Sequence, residues 1–331
     1  MAITLPSDMK VYNDQIRNAY VERIAKAIIG FLDRARGAFV IEDATVPGDY
    51  IKESFFKFPS GLVSRRITAA TAATASATPV TIEQGENVSV KLSRKIGPVQ
   101  ITDAALRAIA RTPEEFAAAI GEMTAESVLE QMIHDGLLSA VAALNRSPYQ
   151  KDISGLSSST LSRSAMAGAL SLMGDHQKDV IAWVMHSKAY FDLVGEDLDV
   201  ATALEGVAPG VAIYGADPAT LGRPCLVIDD AALLLDETVD KYYTLGLTTD
   251  AIHLAADGQM NDLLINRIGG LENITTQIQG ERDWALKLKG FAWDVSNGGA
   301  NPDDTALATA TNWDASSTSA KHRAGVCIKS T

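Results

Sequence analysis

The feature that most constrains this chain is a single helical pattern too long for an ordinary globular helix. Thr112-Pro113-Glu114-Glu115 reads as a capping box: Thr112 caps the helix start, Pro113 suits the first turn and Glu115 bonds back. Behind it an apolar stripe runs through Phe116, Ile120, Met123, Val128, Met132, Leu137, Val141 and Leu144, continuous if Gly121, Ala125 and Gly136 serve as close-packing positions. A helix from Pro113 to Leu144 spans roughly 50 Å at about 1.5 Å per residue, beyond the usual globular range. The rest of the chain must pack along such a rod, so it reads as a scaffold spine. The rival reading is a coiled coil, but the stripe drifts with a period of about 3.6 residues and lacks sustained heptads.

The segment ahead of the spine has the opposite texture. Two alternating arms, Leu62-Val63-Ser64-Arg65-Arg66-Ile67 and Val88-Ser89-Val90-Lys91-Leu92-Ser93, flank a run from Thr68 to Thr81 made almost wholly of Ala, Thr and Ser. Side chains that small cannot build a core. The pattern predicts a long two-stranded hairpin with a poorly buried tip, and an isolated hairpin is marginal in water, so it must lie on something. The alternative is a flexible surface loop, although loops of that length inside a compact domain are uncommon unless functional. Arg65, Arg66, Lys91, Arg94 and Lys95 make the hairpin base locally basic. They are candidates for salt bridges to acidic neighbouring copies, or else ordinary solvated charge.

From Val11 to Ala35, apolar residues recur at Ile16, Tyr20, Ile24, Ala27, Ile28, Phe31 and Ala35, with Arg17, Arg23, Lys26 and Arg34 off that stripe. This predicts an amphipathic helix that either packs on the core or docks on a neighbour as an arm. After a Ser-rich link at residues 153–164 the pattern becomes mixed α/β. Arg163 to Met173 reads as helix, Val180 to Met185 as a buried strand, and Ser187 as the cap of a short helix through Tyr190, Phe191 and Val194. Leu221-Gly222-Arg223-Pro224 makes a turn into the strand Cys225 to Ile228, and Tyr242 to Trp293 reads as several strands with turns at Asp257-Gly258 and Gly269-Gly270.

Charge and composition narrow the function classes. Lys plus Arg number 29 against 41 Asp plus Glu, a formal net charge of −12, so phosphate backbones are repelled on average. That disfavours a dedicated nucleic-acid binder, which needs a basic face, but not a protein that encloses nucleic acid without gripping it. Cys225 and Cys327 form no Cys-x-x-Cys pair, so neither a disulfide framework nor a zinc knuckle is indicated. The start lacks a secretory profile, and no apolar run has the length of a membrane span, so neither export nor membrane insertion is expected.

No reaction class finds its spacing here, and no cofactor is expected. His134, His176, His186, His253 and His322 are scattered singly; the glycines at 206, 210 and 215 do not form a dinucleotide fingerprint; no phosphate-cradling loop or nucleophile elbow occurs. The acidic pairs Glu114-Glu115, Asp229-Asp230 and Asp303-Asp304 are the right residue types for acid–base work or cation binding, and equally for helix and turn caps. Asp229-Asp230 is the pair that keeps both readings open, because it ends a buried strand.

Several phrases resemble the major capsid proteins of tailed bacteriophages, which share the Hong Kong 97 coat-protein fold. Ile181 to Val194 is similar to that family's axial-domain strand and helix, and Leu221 to Asp230 to its Gly-x-Pro turn, apolar strand and Asp. The end of the chain carries Gly290-Phe291-Ala292-Trp293-Asp294, Asn301-Pro302, Leu307, Asn312-Trp313-Asp314 and Lys321, in the order of the family's closing pattern. The front half resembles the family by architecture: arm, extended loop, spine helix.

The resemblance implies an α+β capsid fold divided into an N-terminal arm (1–45), an extended hairpin loop with flanking strands (46–105), the spine helix of a peripheral domain (106–146), an axial domain (147–285) and C-terminal peripheral strands (286–331). It implies a structural, non-enzymatic subunit that assembles with itself as pentamers and hexamers into an icosahedral head around double-stranded DNA. Assembly is expected in the host cytoplasm and residence in the virion. Portal and cement or decoration proteins are implied partners. Some members carry a long scaffolding segment ahead of the arm; here only residues 1–45 precede the loop, so scaffolding is expected from a separate protein. The hairpin tip from Thr68 to Glu83 contains no lysine, so the Lys–Asn cross-link of some members is assigned to no residue. Other readings are an encapsulin-like compartment shell and a soluble α/β enzyme without a legible motif. Removing residues 62–92 is expected to leave a folded body that cannot assemble.

Overall fold

The computed structural model of the protein describes residues 20–26, 28–29, 31–33, 35–45, 47–57, 61–66, 79–102, 113–203, 220–257, 264–269, 272–316 and 319–331. The spine is one helix, Pro113–Leu144. Thr112 and the side chains of the expected capping box lie outside the described residues. In the first half of the helix Met123 is 68% exposed, so it does not belong to the buried stripe. From Asp135 to Leu144 the stripe disappears for the opposite reason: every residue but the half-buried Leu138 is buried, because this end of the helix lies between two sheets.

The strands, in chain order, are β1 Phe39–Asp43, β2 Tyr50–Lys57, β3 Glu83–Thr102, β4 Gln150–Asp152, β5 Val180–Met185, β6 Cys225–Val227, β7 Leu234–Leu235, β8 Lys241–Thr248, β9 Ile252–Ala256, β10 Leu264–Ile268, β11 Thr275–Leu288, β12 Phe291–Trp293, β13 Trp313–Ala315 and β14 Gly325–Ser330. The first sheet runs β1-β9-β11-β3-β2, with β10 also on β11. The second runs β4-β14-β8-β5-β6, with β7 also on β8; β12 and β13 form a small ribbon.

The side-chain period of two decides how the second sheet is used. Ala182 and Val184 of β5, Leu245 and Leu247 of β8 and Cys327 of β14 point into the main core with the long helix. Their neighbours Trp183, Met185, Val326 and Ile328 point the other way, into a second core under the helices Arg163–Ser171 and Ser187–Ala203. Gly136 lets the long helix approach β9: a Cβ there would lie 2.9 Å from the Ile252 side chain. Gly246 plays the same part in β8, where a Cβ would lie 2.7 Å from the ring of Trp183.

Two expectations are corrected. The first arm of the hairpin is not Leu62–Ile67 but β2, which pairs with β3 from Tyr50↔Val90 to Lys57↔Glu83. Lys52, Glu53 and Ser54 interrupt its alternation because β2 is an edge strand whose outer positions face water. Residues 61–66 are irregular and exposed, and 67–78 lie outside the described residues. Ser187 does not cap its helix either. Its amide donates to Asp229 Oδ1 at 3.0 Å, and the next amide, of Lys188, donates to His186 Nδ1.

The N-terminal helix is present at residues 20–26, 28–29, 31–33 and 35. Tyr20, Ile24 and Ala35 are buried in the main core, so this part of the expected arm packs on its own subunit. Tyr20 Oη accepts from Arg282 Nη1 at 2.9 Å, which ties the helix to β11.

Candidate functional site

The candidate site comprises the hairpin strands, their base against the long helix, and the closing aromatic knot. Phe56 is 77% exposed and Val63 95%; Leu62, Val80 and Ile82 are exposed as well. These five lie on β2 and on the described segments between β2 and β3; other large apolar side chains, Phe191 and Met123 among them, are exposed elsewhere. Toward the base the ladder tightens. The ring of Phe55 lies where a Cβ on Gly85 would come within 2.5 Å of it, so only glycine fits opposite. Lys52 pairs with Glu86 at 3.1 Å, Lys287 with Glu53 at 2.5 Å and Lys91 with Asp283 at 2.7 Å.

Where β3 passes the long helix the charges go inside. Arg94 donates to Asp135 through Nε at 3.2 Å and Nη2 at 2.8 Å, and Nη2 also donates to Asp304 Oδ1 at 2.9 Å. The Asp135 side chain has no solvent exposure; Gln131 Nε2 completes its shell at 2.8 Å. Burial pushes the Asp135 carboxyl above its ordinary range, with the bonds from Arg94 and Gln131 opposing that push. Burial would lower the Arg94 guanidinium, but the two carboxylates outweigh it and hold it above its ordinary value.

One residue earlier on the helix, His134 Nδ1 lies 2.7 Å from Asp230 Oδ1. The same oxygen accepts from the Ala232 amide at 2.7 Å and caps the turn Ala231–Leu233. The Asp230 bond raises the His134 imidazole above its ordinary value, against the effect of burial. Burial alone would raise the Asp230 carboxyl; His134 and the Ala232 amide outweigh it and hold it low. Asp229, Asp230 and Asp303 all act as caps, and Asp304 holds Arg94.

Of the basic residues singled out in the sequence, Lys91 and Arg94 therefore hold carboxylates of their own chain. Lys95 sits on β3 opposite Glu281, and Arg65 and Arg66 are exposed in the irregular segment 61–66. Sequence reasoning missed Phe56, Val80 and Ile82 as projecting apolar residues, and missed Asp135. The signal for Asp135 was a lone acid inside the most apolar stretch of the spine.

The closing motifs fold into a knot. Trp293 and Trp313 meet edge to face at 4.9 Å, and their indole nitrogens donate to Gly299 O and Leu307 O, each at 3.0 Å. Gly298 lies against the Trp293 ring, where a Cβ would be 2.1 Å away. Asn301 Oδ1 accepts from the Ser93 amide at 2.9 Å, so this end of the chain grips β3 as well. In the Gly-x-Pro turn, Leu221 and Gly222 both take positive φ, and Arg223 donates to Val180 O and Gln177 O, fixing β6 beside β5.

Against known proteins, the family model described as "Major capsid protein 13-like" matches residues 8–327. No curated protein sequence matches the chain. The capsid of Ralstonia phage GP4 superposes with a TM-score of 0.52 at 8% identity, covering 88% of this chain and 87% of that one. A chain of Microbacterium phage Oxtober96 gives a TM-score of 0.49 at 14% identity, covering 77% of this chain and 84% of that one.

Proposed function

This chain belongs to the major capsid protein 13-like family, and from that premise we propose that it closes into an icosahedral head as pentamers and hexamers, each copy reaching over the next with its hairpin. It is a structural capsid subunit of a tailed phage with the Hong Kong 97 fold, which sets aside the compartment and enzyme readings. The observation that carries the proposed mechanism is the exposure of Phe56, Leu62, Val63, Val80 and Ile82, all between the start of β2 and the start of β3. Fully covering one such side chain stabilises by about 1.5–3 kcal/mol, and a closed shell repeats that contact at every copy.

The receiving surface we assign is the outer face of the neighbour's long helix. Glu122, Glu126 and Glu130 fall at intervals of four there and are exposed, and Glu126 already accepts from Arg23 at 2.8 Å. Arg65 and Arg66 complement that stripe. In this reading 1–45 is the arm, 46–105 the extended loop, 106–146 with 286–331 the peripheral domain and 147–285 the axial domain. A separate scaffolding protein guides closure in the host cytoplasm, portal and decoration proteins join the shell, and the acidic chain encloses DNA without reading its sequence.

The test replaces Leu62 and Val63 by Glu. Because both are exposed, the subunit's unfolding midpoint is expected to stay that of the parent, while shells seen by negative-stain microscopy disappear. Shells of normal yield from that variant would remove the hairpin from the mechanism.

A further inference from the structure

The long helix stands between the two sheets, and two adjacent residues tie it to different ones. Asp135 is clamped to β3 of the first sheet by Arg94. His134 is bonded to Asp230, whose turn joins β6 to β7 at the edge of the second sheet. The two fastenings differ in kind. A guanidinium keeps its charge at every accessible pH, whereas an imidazole changes charge near neutrality.

We propose that the His134–Asp230 contact is a proton-operated latch, which fastens the 229–235 turn and the second sheet to the long helix when His134 is charged and holds them more weakly when it is not. The groups facing His134 are Asp230 from the turn, Asp135 on the helix itself and Asp304 from the short helix Asp304–Leu307; Arg94 of β3 is held by the last two. The imidazole is thus ringed by carboxylates, and the nearby guanidinium is engaged by two of them. Loss of the proton removes the charge from this contact and leaves at most a neutral Nδ1–H donor beside the Ala232 amide.

The sign follows from the directions of the two shifts. His134 is raised from its ordinary 6.5, so its contribution is complete below that value and is lost as pH rises through the folded value. Asp230 is lowered from its ordinary 3.8, so its contribution is complete above that value and is lost as pH falls through the folded one. The latch is therefore strongest from mildly acidic pH to just below neutral, and it weakens on the alkaline side while the Arg94 clamp holds.

Hydrogen–deuterium exchange of the full chain at pH 6 and pH 8.5, corrected for intrinsic exchange, tests this. Peptides covering 229–235 should exchange faster at the higher pH, while those covering 90–96 do not change. Each pKa unit separating latched from open His134 corresponds to about tenfold in that opening equilibrium. In His134→Gln, compared with its parent in a His186→Gln background because His186 lies 3.6 Å from Asp229 of the same turn, the pH response of the turn should vanish. Equal exchange of the wild-type turn at both pH values, or a response that survives in His134→Gln, overturns the latch. If His134→Gln does not fold, Asp230→Asn takes its place with the same expectation, and the wild-type comparison stands by itself.

Discussion

Asp135 is a carboxylate at the heart of the subunit whose neighbours are matched to it one by one. Replacing Arg94 by Ala would leave that charge buried with Gln131 alone, and losses of about 3–5 kcal/mol follow when one partner of a buried pair is removed. A denaturant midpoint should register it, whereas Lys95→Ala, on the exposed part of the same strand, should leave the midpoint nearly unchanged. The thiols give an independent check on burial. Cys225 is pushed up to about 12 and Cys327 is raised further still, both by burial. Iodoacetamide at pH 8 should therefore leave both unlabelled in the folded chain and modify both in denaturant, as read by mass spectrometry. Labelling of native Cys225 would contradict its packing beside β5. At this scale the sequence was legible for residue type and not for partner: Arg94 stood out as basic, but Asp135 and Asp304 come from positions far along the chain, joined to it only by the fold.

Elements were more legible than contacts. The spine, β5 and the closing Trp motifs were readable because their patterns are local: a long helical period, an unbroken apolar run, and turn residues at fixed offsets. The first arm of the hairpin was not, because β2 is an edge strand whose charged residues pair across to β3 and β11 and so hide its alternation. This changes a deletion. Removing 62–92 would take Val88, Val90 and Leu92 out of the main core, so the expected folded body would not survive it. Replacing 61–82 by a short glycine loop keeps every β2–β3 pair, including Lys57↔Glu83. That variant should fold with parental stability and fail to close shells. The knot can be tested separately by Gly298→Ala, which forces a methyl against the buried Trp293 ring. It should cost about 1–3 kcal/mol, the usual range for overpacking, measured as a lowered thermal midpoint.

Across the whole molecule, the interior and the exposed hairpin residues divide the labour. Inside, charged and polar groups meet across elements: Arg94 with Asp135, His134 with Asp230, Asn301 with the β3 backbone. The hairpin instead carries large apolar side chains into water. The most direct measurement is cryo-electron microscopy of the purified full-length chain at high concentration, with and without its candidate scaffolding protein. Closed icosahedral shells are expected, in which residues 61–66 and 79–82 of each copy lie on the long helix of the next. A compact monomer under both conditions, or shells in which the hairpin touches no neighbour, would contradict that expectation.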